Sequence, residues 1–384
     1  MPEPEFSEQG VLEEARRAAG LADFGDEGFR EGLRVLLETY EKTADFTSRG
    51  RRRNHRRIVQ LLATRLRVEA AFRRHPEIRE RAIRRPVYLT GLPRTGTSAL
   101  FNLLAADPAA RPLLLWEGVF PDPAEGLEPG QPDPRYLALK AHYERGRETN
   151  PEFTKIHYVS ADTPEECVLL LAHDFCDVQM GIEPLIEPYA SWFQAQDLHR
   201  PYAYYRDLLK MLDWQRPGER WLLKSPAHLW ALDVLVEMFP DVCIVLTHRN
   251  PLQCIASICS MSAALMRGRE RVDPVELGPT VLEYYARSLE RGLAARGRAD
   301  PARFVDVRYD DFVADPLGSV QRVYGHFELD LSPAAAGAMR AHVRDNPQGK
   351  HGTHEYGLEE FGLTPEAVRV RLRAYIERYR LPAD

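Results

Sequence analysis

Pro86-Val87-Tyr88-Leu89-Thr90-Gly91-Leu92-Pro93-Arg94-Thr95-Gly96-Thr97-Ser98 is the stretch from which the fold can be read. Its first five residues are a short apolar, β-prone run, the middle carries two glycines and a proline, and Ser98 to Ala106 has helical composition. Strand, glycine-bearing loop and helix in that order make a unit whose backbone N–H groups and helix N-terminus face the loop. Four residues separate Gly91 from Gly96, and Thr97-Ser98 follow. This is the spacing of the phosphate loop G-x-x-x-x-G-K-[ST], with Thr97 in the lysine position. The helix dipole contributes about 0.3–1 kcal/mol to an anion held there, and up to ~2 in favourable geometry. The lysine that reaches β- and γ-phosphates is missing, and the later strand ending at Leu246-Thr247-His248 offers no aspartate for Mg²⁺. The loop therefore predicts a bound phosphate other than Mg-ATP. Arg94 adds a planar donor fork suited to anionic oxygens.

Outward from the loop the pattern repeats. Trp221 to Lys224 is a short apolar run, read as a strand, feeding Ser225-Pro226 and a helix through Met238. Val242 to Thr247 feeds His248-Arg249-Asn250-Pro251 and a further helix, and Phe304 to Val307 adds a fourth strand. Apolar strands that each end in a polar loop and a helix predict a parallel sheet with its ligand site at the carboxyl ends of the strands. Residues 1 to about 84 show apolar spacing of helical period and no strand alternation. The expected fold class is α/β: a P-loop-like central parallel sheet flanked by helices, with an N-terminal helical extension over 1–85 packed on a domain spanning 86–384.

Composition sets the bounds. A chain of 384 residues, 44% hydrophobic and 28% charged, is suited to one large α/β domain or two ordinary ones and does not read as disordered. A net charge of −6 gives no overall drive toward nucleic acid or anionic lipid, so no nucleic-acid partner is expected. The local run Arg51-Arg52-Arg53-Asn54-His55-Arg56-Arg57 is strongly basic and reads as a solvated helix face. Met1-Pro2-Glu3-Pro4-Glu5 has neither the basic nor the apolar region of a secretory signal, and no uncharged stretch reaches the ~20 residues of a bilayer span. A cytoplasmic protein without a transmembrane segment is expected. The five cysteines are an odd number without a C-x-x-C pair and read as reduced core residues. His351 and His354 lack a third ligand in view, so no metal is expected.

Residues 86–104 resemble the 5′-phosphosulfate loop of the sulfotransferases that use 3′-phosphoadenosine 5′-phosphosulfate (PAPS), in the bacterial and Golgi-type branch that writes the loop P-R-[ST]-G-T-[ST]. The resemblance implies that Arg94, Thr95, Gly96, Thr97 and Ser98 bind the 5′ end of PAPS. Thr247-His248-Arg249-Asn250-Pro251 with Ser257 eight residues after Arg249 is similar to the family's second element, whose arginine and serine bind the 3′-phosphate. A terminal phosphate of about two negative charges is suited to a guanidinium with hydroxyl and amide donors at a helix start. Val307-Arg308-Tyr309-Asp310-Asp311-Phe312 resembles the segment whose tyrosine lies near the cofactor. Asn346 to His351 resembles the late loop that closes over the 3′-phosphate, which would bring Gly349 and Lys350 to the site. The likeness runs over about residues 86–351, strongest at the two phosphate elements. It implies PAPS as donor and adenosine 3′,5′-bisphosphate as product.

Sulfuryl transfer needs a base for the acceptor proton and a cation on the leaving phosphate oxygen. Lys224 in Leu223-Lys224-Ser225-Pro226 matches the family's K-[SD]-P segment and sits at a strand end, and Arg94 is expected beside the sulfonate. Two candidates for the base remain open. Glu117 follows the helix after the loop, near where Golgi-type enzymes carry a catalytic glutamate, and His157 is a mid-chain histidine of the kind cytosolic enzymes use. Asp162-Thr163-Pro164-Glu165-Glu166 reads as a helix start, with an N-cap, a proline in the first turn and acids favouring the dipole. Tyr189, Trp192, Phe193, Tyr202, Tyr204 and Tyr205 are read equally as core or as the lining of an acceptor pocket. A small-molecule hydroxyl, on a natural product or glycolipid, is the expected acceptor, and a homodimer is left open. The rival readings are a P-loop-type small-molecule kinase and a catalytically silent nucleotide-binding protein.

Overall fold

The computed structural model describes residues 3–128, 131–149, 160–176, 185–266, 268–346 and 357–383. Five strands form one parallel sheet in the order β2-β3-β1-β4-β5: β1 Val87–Gly91, β2 Ala110–Pro112, β3 Arg220–Lys224, β4 Cys243–His248 and β5 Phe304–Arg308. Registers such as Tyr88 opposite Leu223 and Ile244 set β1 at the centre. Every residue of β1 and β4 is buried, as strands covered on both faces must be, which is why their sequences are continuous apolar runs. The four strands expected from sequence are present. The fifth, β2, escaped because Ala110-Arg111-Pro112 has no apolar run; its proline is tolerated at the sheet edge, where β2 pairs with β3 alone.

Because all strands run the same way, the loops after β1, β3, β4 and β5 gather along one edge of the sheet. Helices leave each of them: α4 (Thr97–Leu104) after β1, the turn Pro226–Ala231 and helix Leu232–Met238 after β3, helix Pro251–Leu265 after β4, and helix Tyr309–Ala314 after β5. Local chemistry starts several of these turns. Ser225 accepts a hydrogen bond from Ala227 N, and Asn250 from Leu252 N, each followed by proline at the first helical position.

Helices α1 (Glu8–Ala19), α2 (Phe29–Lys42) and α3 (Ser48–Arg74) occupy the N-terminal portion. They bury Val11, Leu12, Leu33, Leu36, Leu62 and Leu66 in the same apolar cluster that contains Leu223 of β3 and Ile255 of the helix after β4. Arg65 of α3 fastens this contact. Its guanidinium is buried between the rings of Phe29 and Tyr204, 4.3 and 4.0 Å away, and donates to the carbonyl oxygens of Phe24, Asp26 and His173. It also pairs with the buried Asp174 at 3.3 Å, which Arg200 reaches from the other side at 2.8 Å. Burial raises the Asp174 pKa, and Arg65 and then Arg200 oppose that rise.

The tyrosine-rich stretch belongs to the core. Tyr189, Phe193, Tyr202 and Tyr205 are all buried. The Tyr202 hydroxyl lies 2.9 Å from His228 Nδ1, and Tyr205 donates to Cys167 Sγ at 3.3 Å. All five cysteines are buried. Among the described residues no helix is long and apolar enough to cross a membrane.

Arg65→Ala should lower the free energy of unfolding by about 3–5 kcal/mol, the usual result of removing one side of a buried ion pair. Urea denaturation measures this, and a loss under ~1 kcal/mol would mean that the packing of α2 on helix His199–Gln215 does not depend on this guanidinium.

Candidate active site

The loop between β1 and α4 is shaped by two glycines. Gly91 has φ 149°, and a Cβ there would lie 2.5 Å from the Thr247 carbonyl oxygen, so the tip of β1 can approach β4 only without a side chain. Gly96 has φ 85° and lies against the Tyr309 ring, which a Cβ would meet at 2.7 Å. Between them Arg94 adopts φ 70°, a left-handed conformation that turns its side chain outward. The hydroxyls of the loop are spent on each other. Thr95 Oγ1 donates to Leu92 O at 2.7 Å, and Thr95 and Thr97 lie 2.6 and 2.9 Å from Thr247 Oγ1. Thr97 thus fills the lysine position with a buried side chain directed at β4. Thr95, Gly96 and Thr97 can offer an anion only backbone N–H groups, whereas Ser98 is exposed and its hydroxyl is open to a partner.

On one flank of the loop stands Lys224, at the end of β3. Its Nζ donates to Ser98 Oγ at 3.1 Å and to Glu166 Oε1 at 2.8 Å, and lies 5.6 Å from the centre of the Phe101 ring. The lysine side chain is only 6% exposed and the glutamate 22%, so a cation and a carboxylate are held together in a largely desolvated corner that still opens to solvent. The segment expected to start a helix at Asp162 instead makes a turn over 161–163, closed by Thr163 N donating to Ser160 O, and then a bridge between Pro164 and Leu114. Leu115 N and Trp116 N donate to Thr163 O and Ala161 O, Glu165 N donates to Leu113 O, and Cys167 N donates to Lys224 O. The helix begins only at Val168. These bonds outcompete the N-cap signal and aim Glu166 at Lys224.

Glu117 is in a different setting. It lies in α5 (Leu115–Val119), is 2% exposed, and receives Arg111 through both oxygens at 2.8 and 2.9 Å, Arg216 at 2.9 and 3.2 Å, and Leu114 N at 3.0 Å. Burial lowers the pKa of Arg111, and the charge of Glu117 opposes this. A carboxylate wrapped by two guanidiniums has no lone pair left for an acceptor proton. Glu117 therefore anchors the edge strand through Arg111, which corrects the expectation that it serves as base. His157, Gly349 and Lys350 lie outside the described residues.

The other flank gathers the arginines. Arg94 Nε donates to Ser257 Oγ at 3.0 Å, Arg249 Nη1 donates to Arg94 O at 3.0 Å, and the Arg249 guanidinium lies 4.1 Å from the centre of the Tyr309 ring. The Arg94 side chain thus reaches Ser257, while its backbone carbonyl oxygen accepts from Arg249. Neither guanidinium has a carboxylate partner among the described residues. Behind Arg249, His248 is buried, with Nε2 2.8 Å from Asp306 Oδ1, Nδ1 3.1 Å from the Tyr375 hydroxyl, and the Tyr379 ring stacked on it at 3.7 Å. Arg296 holds Asp306 through both nitrogens, at 2.5 and 2.6 Å. Burial lowers the His248 pKa, and Asp306 works against that shift.

An anion loop without its lysine, served by a lysine from the neighbouring strand, departs from the triphosphate-splitting enzymes and defines a transferase acting on another anion. Comparison with known proteins identifies which transferase. Residues 86–333 match the model of the sulfotransferase family, and the chain belongs to that family. The sulfotransferase STF1 of Mycobacterium tuberculosis is 35% identical, with 97% of this chain and 100% of that one covered at a TM-score of 0.85. STF9 of Mycobacterium avium is 28% identical over 100% and 99% of the two chains, with a TM-score of 0.90. The omega-hydroxy-beta-dihydromenaquinone-9 sulfotransferase Stf3 of Mycobacterium bovis is 24% identical over 290 residues, 73% of this chain and 72% of its own.

Glu117→Gln should cost about 2–4 kcal/mol of stability by leaving two guanidiniums short of a counter-charge, while the folded variant keeps its turnover. Denaturation paired with an activity assay separates the two effects, and a stable, inactive variant would return Glu117 to the reaction.

Proposed function

We propose that this sulfotransferase moves the sulfuryl group of PAPS to a hydroxyl of a small, lipid-like acceptor, with Lys224 and Glu166 at the reacting centre. The observation that carries this is the Lys224 ammonium bonded at once to Ser98 of the anion loop and to Glu166. The residues suit the donor. A loop of free backbone donors beside Gly96 fits a 5′ anion, and Arg94, Arg249 and Ser257 fit a phosphate bearing about two charges, since the two guanidiniums have no carboxylate of their own. Tyr309 stacks Arg249 and walls the loop at Gly96. When bound, PAPS supplies the sulfuryl group and leaves as adenosine 3′,5′-bisphosphate.

In this reading Glu166 accepts the proton of the acceptor hydroxyl. Lys224 holds that carboxylate in place and presents positive charge to the oxygen on which negative charge develops. Ser98 holds the ammonium against the loop. Buried surroundings on the Phe101 side limit water, which strengthens each of these interactions. The mycobacterial relative named for a hydroxylated dihydromenaquinone supports a lipid-like alcohol as acceptor class.

Adenosine 3′,5′-bisphosphate should raise the melting temperature more than Mg-ATP does in a thermal-shift assay; stabilisation by Mg-ATP alone would favour a kinase. Glu166→Gln and Lys224→Ala should each lower turnover by roughly 10²–10⁴, measured by transfer of labelled sulfate to an alcohol panel. Unchanged turnover in the glutamine variant would remove Glu166 as base. Arg249→Ala should weaken bisphosphate binding by roughly 2–5 kcal/mol, as truncating one side of a buried charge pair does, and full affinity by calorimetry would refute the 3′-phosphate role.

A further inference from the structure

The basic run near the start of α3 is not used by the site described above. Arg49, Arg52, Arg53 and Arg56 are all exposed, and their spacing of three, four and seven residues puts them on one face of the helix. The opposite face buries Gly50, Asn54, His55 and Ile58. Arg51, off this stripe, pairs with Glu41 and lies over the Phe6 ring. The four arginines of the stripe have no ion pair among the described residues; the nearest contact of this kind is a bond from Arg56 Nε to the Arg52 carbonyl. The stripe is a local concentration of positive charge in a chain of net charge −6, where carboxylates are in excess. Glu14 of α1 faces the lower part of the helix, 3.9 Å from His55, without reaching the arginines.

The position of this stripe gives it meaning. Gly50 packs so closely on Gly268 that a Cβ would collide with its carbonyl oxygen, and Arg53 Nη2 comes within 3.0 Å of where a Gly268 Cβ would stand. Thr47 N donates to Gly268 O at 2.9 Å, and Arg269 donates back to Ala44 O and Thr43 O. The stripe therefore borders the outer end of helix Pro251–Leu265, the helix that carries Ser257 near its middle. At that outer end Leu265 is 53% exposed, one of the few large apolar side chains left to solvent. No exposed aromatic interleaves the four arginines, so the stripe lacks the stacking platforms of a single-strand nucleic-acid surface.

We propose that Arg49, Arg52, Arg53 and Arg56, with Leu265 beside them, form a docking face for an anionic phospholipid surface, from which a lipid-like acceptor enters the site. This rests on the acceptor class inferred above, but the docking itself needs neither donor nor acceptor. Unpaired arginines bind anionic headgroups electrostatically, and the exposed leucine enters the interface beside them. The overall negative charge keeps the rest of the molecule off such a surface and orients the approach.

Sedimentation of the full chain with phosphatidylcholine vesicles, with and without about one third phosphatidylserine, tests this directly. The protein should pellet with the anionic vesicles, and raising ionic strength from ~0.05 to ~0.5 M should release it. Arg52→Gln, Arg53→Gln and Arg56→Gln together should weaken partitioning by roughly 100-fold, at about one kcal/mol per charge. The corresponding triple lysine variant should keep it, which separates charge from folding. Turnover on a water-soluble short-chain alcohol should be the same in both variants, so a failure of the sulfotransferase reading and a failure of docking show up in different assays. Equal partitioning onto neutral vesicles, unchanged partitioning in the glutamine variant, or tighter binding to single-stranded RNA than to anionic vesicles would each overturn the proposal.

Discussion

The meeting of Gly91 with Thr247 is the contact on which the site depends. In a parallel sheet the central strand must end where its neighbours also end, and three chains then compete for the same space. Glycine removes the side chain that would strike the β4 carbonyl, and the hydroxyls of Thr95, Thr97 and Thr247 close the gap as a buried, mutually satisfied group. The threonine at the lysine position is thus part of the junction between strands. Having lost the cation from the loop, the molecule recruits it from β3, one strand away.

That transfer divides the site. The Lys224 flank is built by β3 and by the segment Ala161–Cys167, itself bonded to residues 113–116, and it brings opposite charges together where water is scarce. The arginine flank is built by the loop, by β4 and by the start of the helix after β5, and it leaves like charges together with no carboxylate partner among the described residues. The two environments ask for different things: the first is balanced and suited to moving a proton, the second is unbalanced and suited to holding an anion. Placing them on opposite sides of one loop lets a single extended ligand meet both.

Sequence made the sheet legible wherever strands are buried on both faces, because burial forces continuous apolar runs such as Val87–Leu89 and Cys243–Leu246. It was silent at β2, where an edge position permits arginine and proline. At the site, Lys224, Arg249 and Ser257 were singled out by likeness to family segments, and they fall at a strand end, in the turn after β4 and in the helix that follows. Arg94 was readable as a residue of the loop, whereas its contact with Ser257, 163 residues away, was not. The surroundings of the carboxylates were hidden for a common reason. Glu165-Glu166 follows a proline and resembles a helix start, and only bonds with residues about fifty positions away, at 113–116, hold the segment out of a helix until Val168. Glu117 resembled a free acid because its partners, Arg111 and Arg216, are contributed by the edge strand and by a turn ninety-nine residues later.

His248 carries a consequence for how the molecule is made. The histidine stands immediately before Arg249, yet the tyrosine hydroxyl that faces it comes from 127 residues further along the chain. At about 5–20 residues per second, synthesis of that interval takes roughly 6–25 s. Throughout that time β4 has left the ribosome with its polar terminus uncovered, and the strand end that presents Arg249 lacks the rings that brace it. The arginine flank is therefore completed only after Tyr375 has been made, and a nascent chain that has formed most of its sheet still lacks the rings behind Arg249.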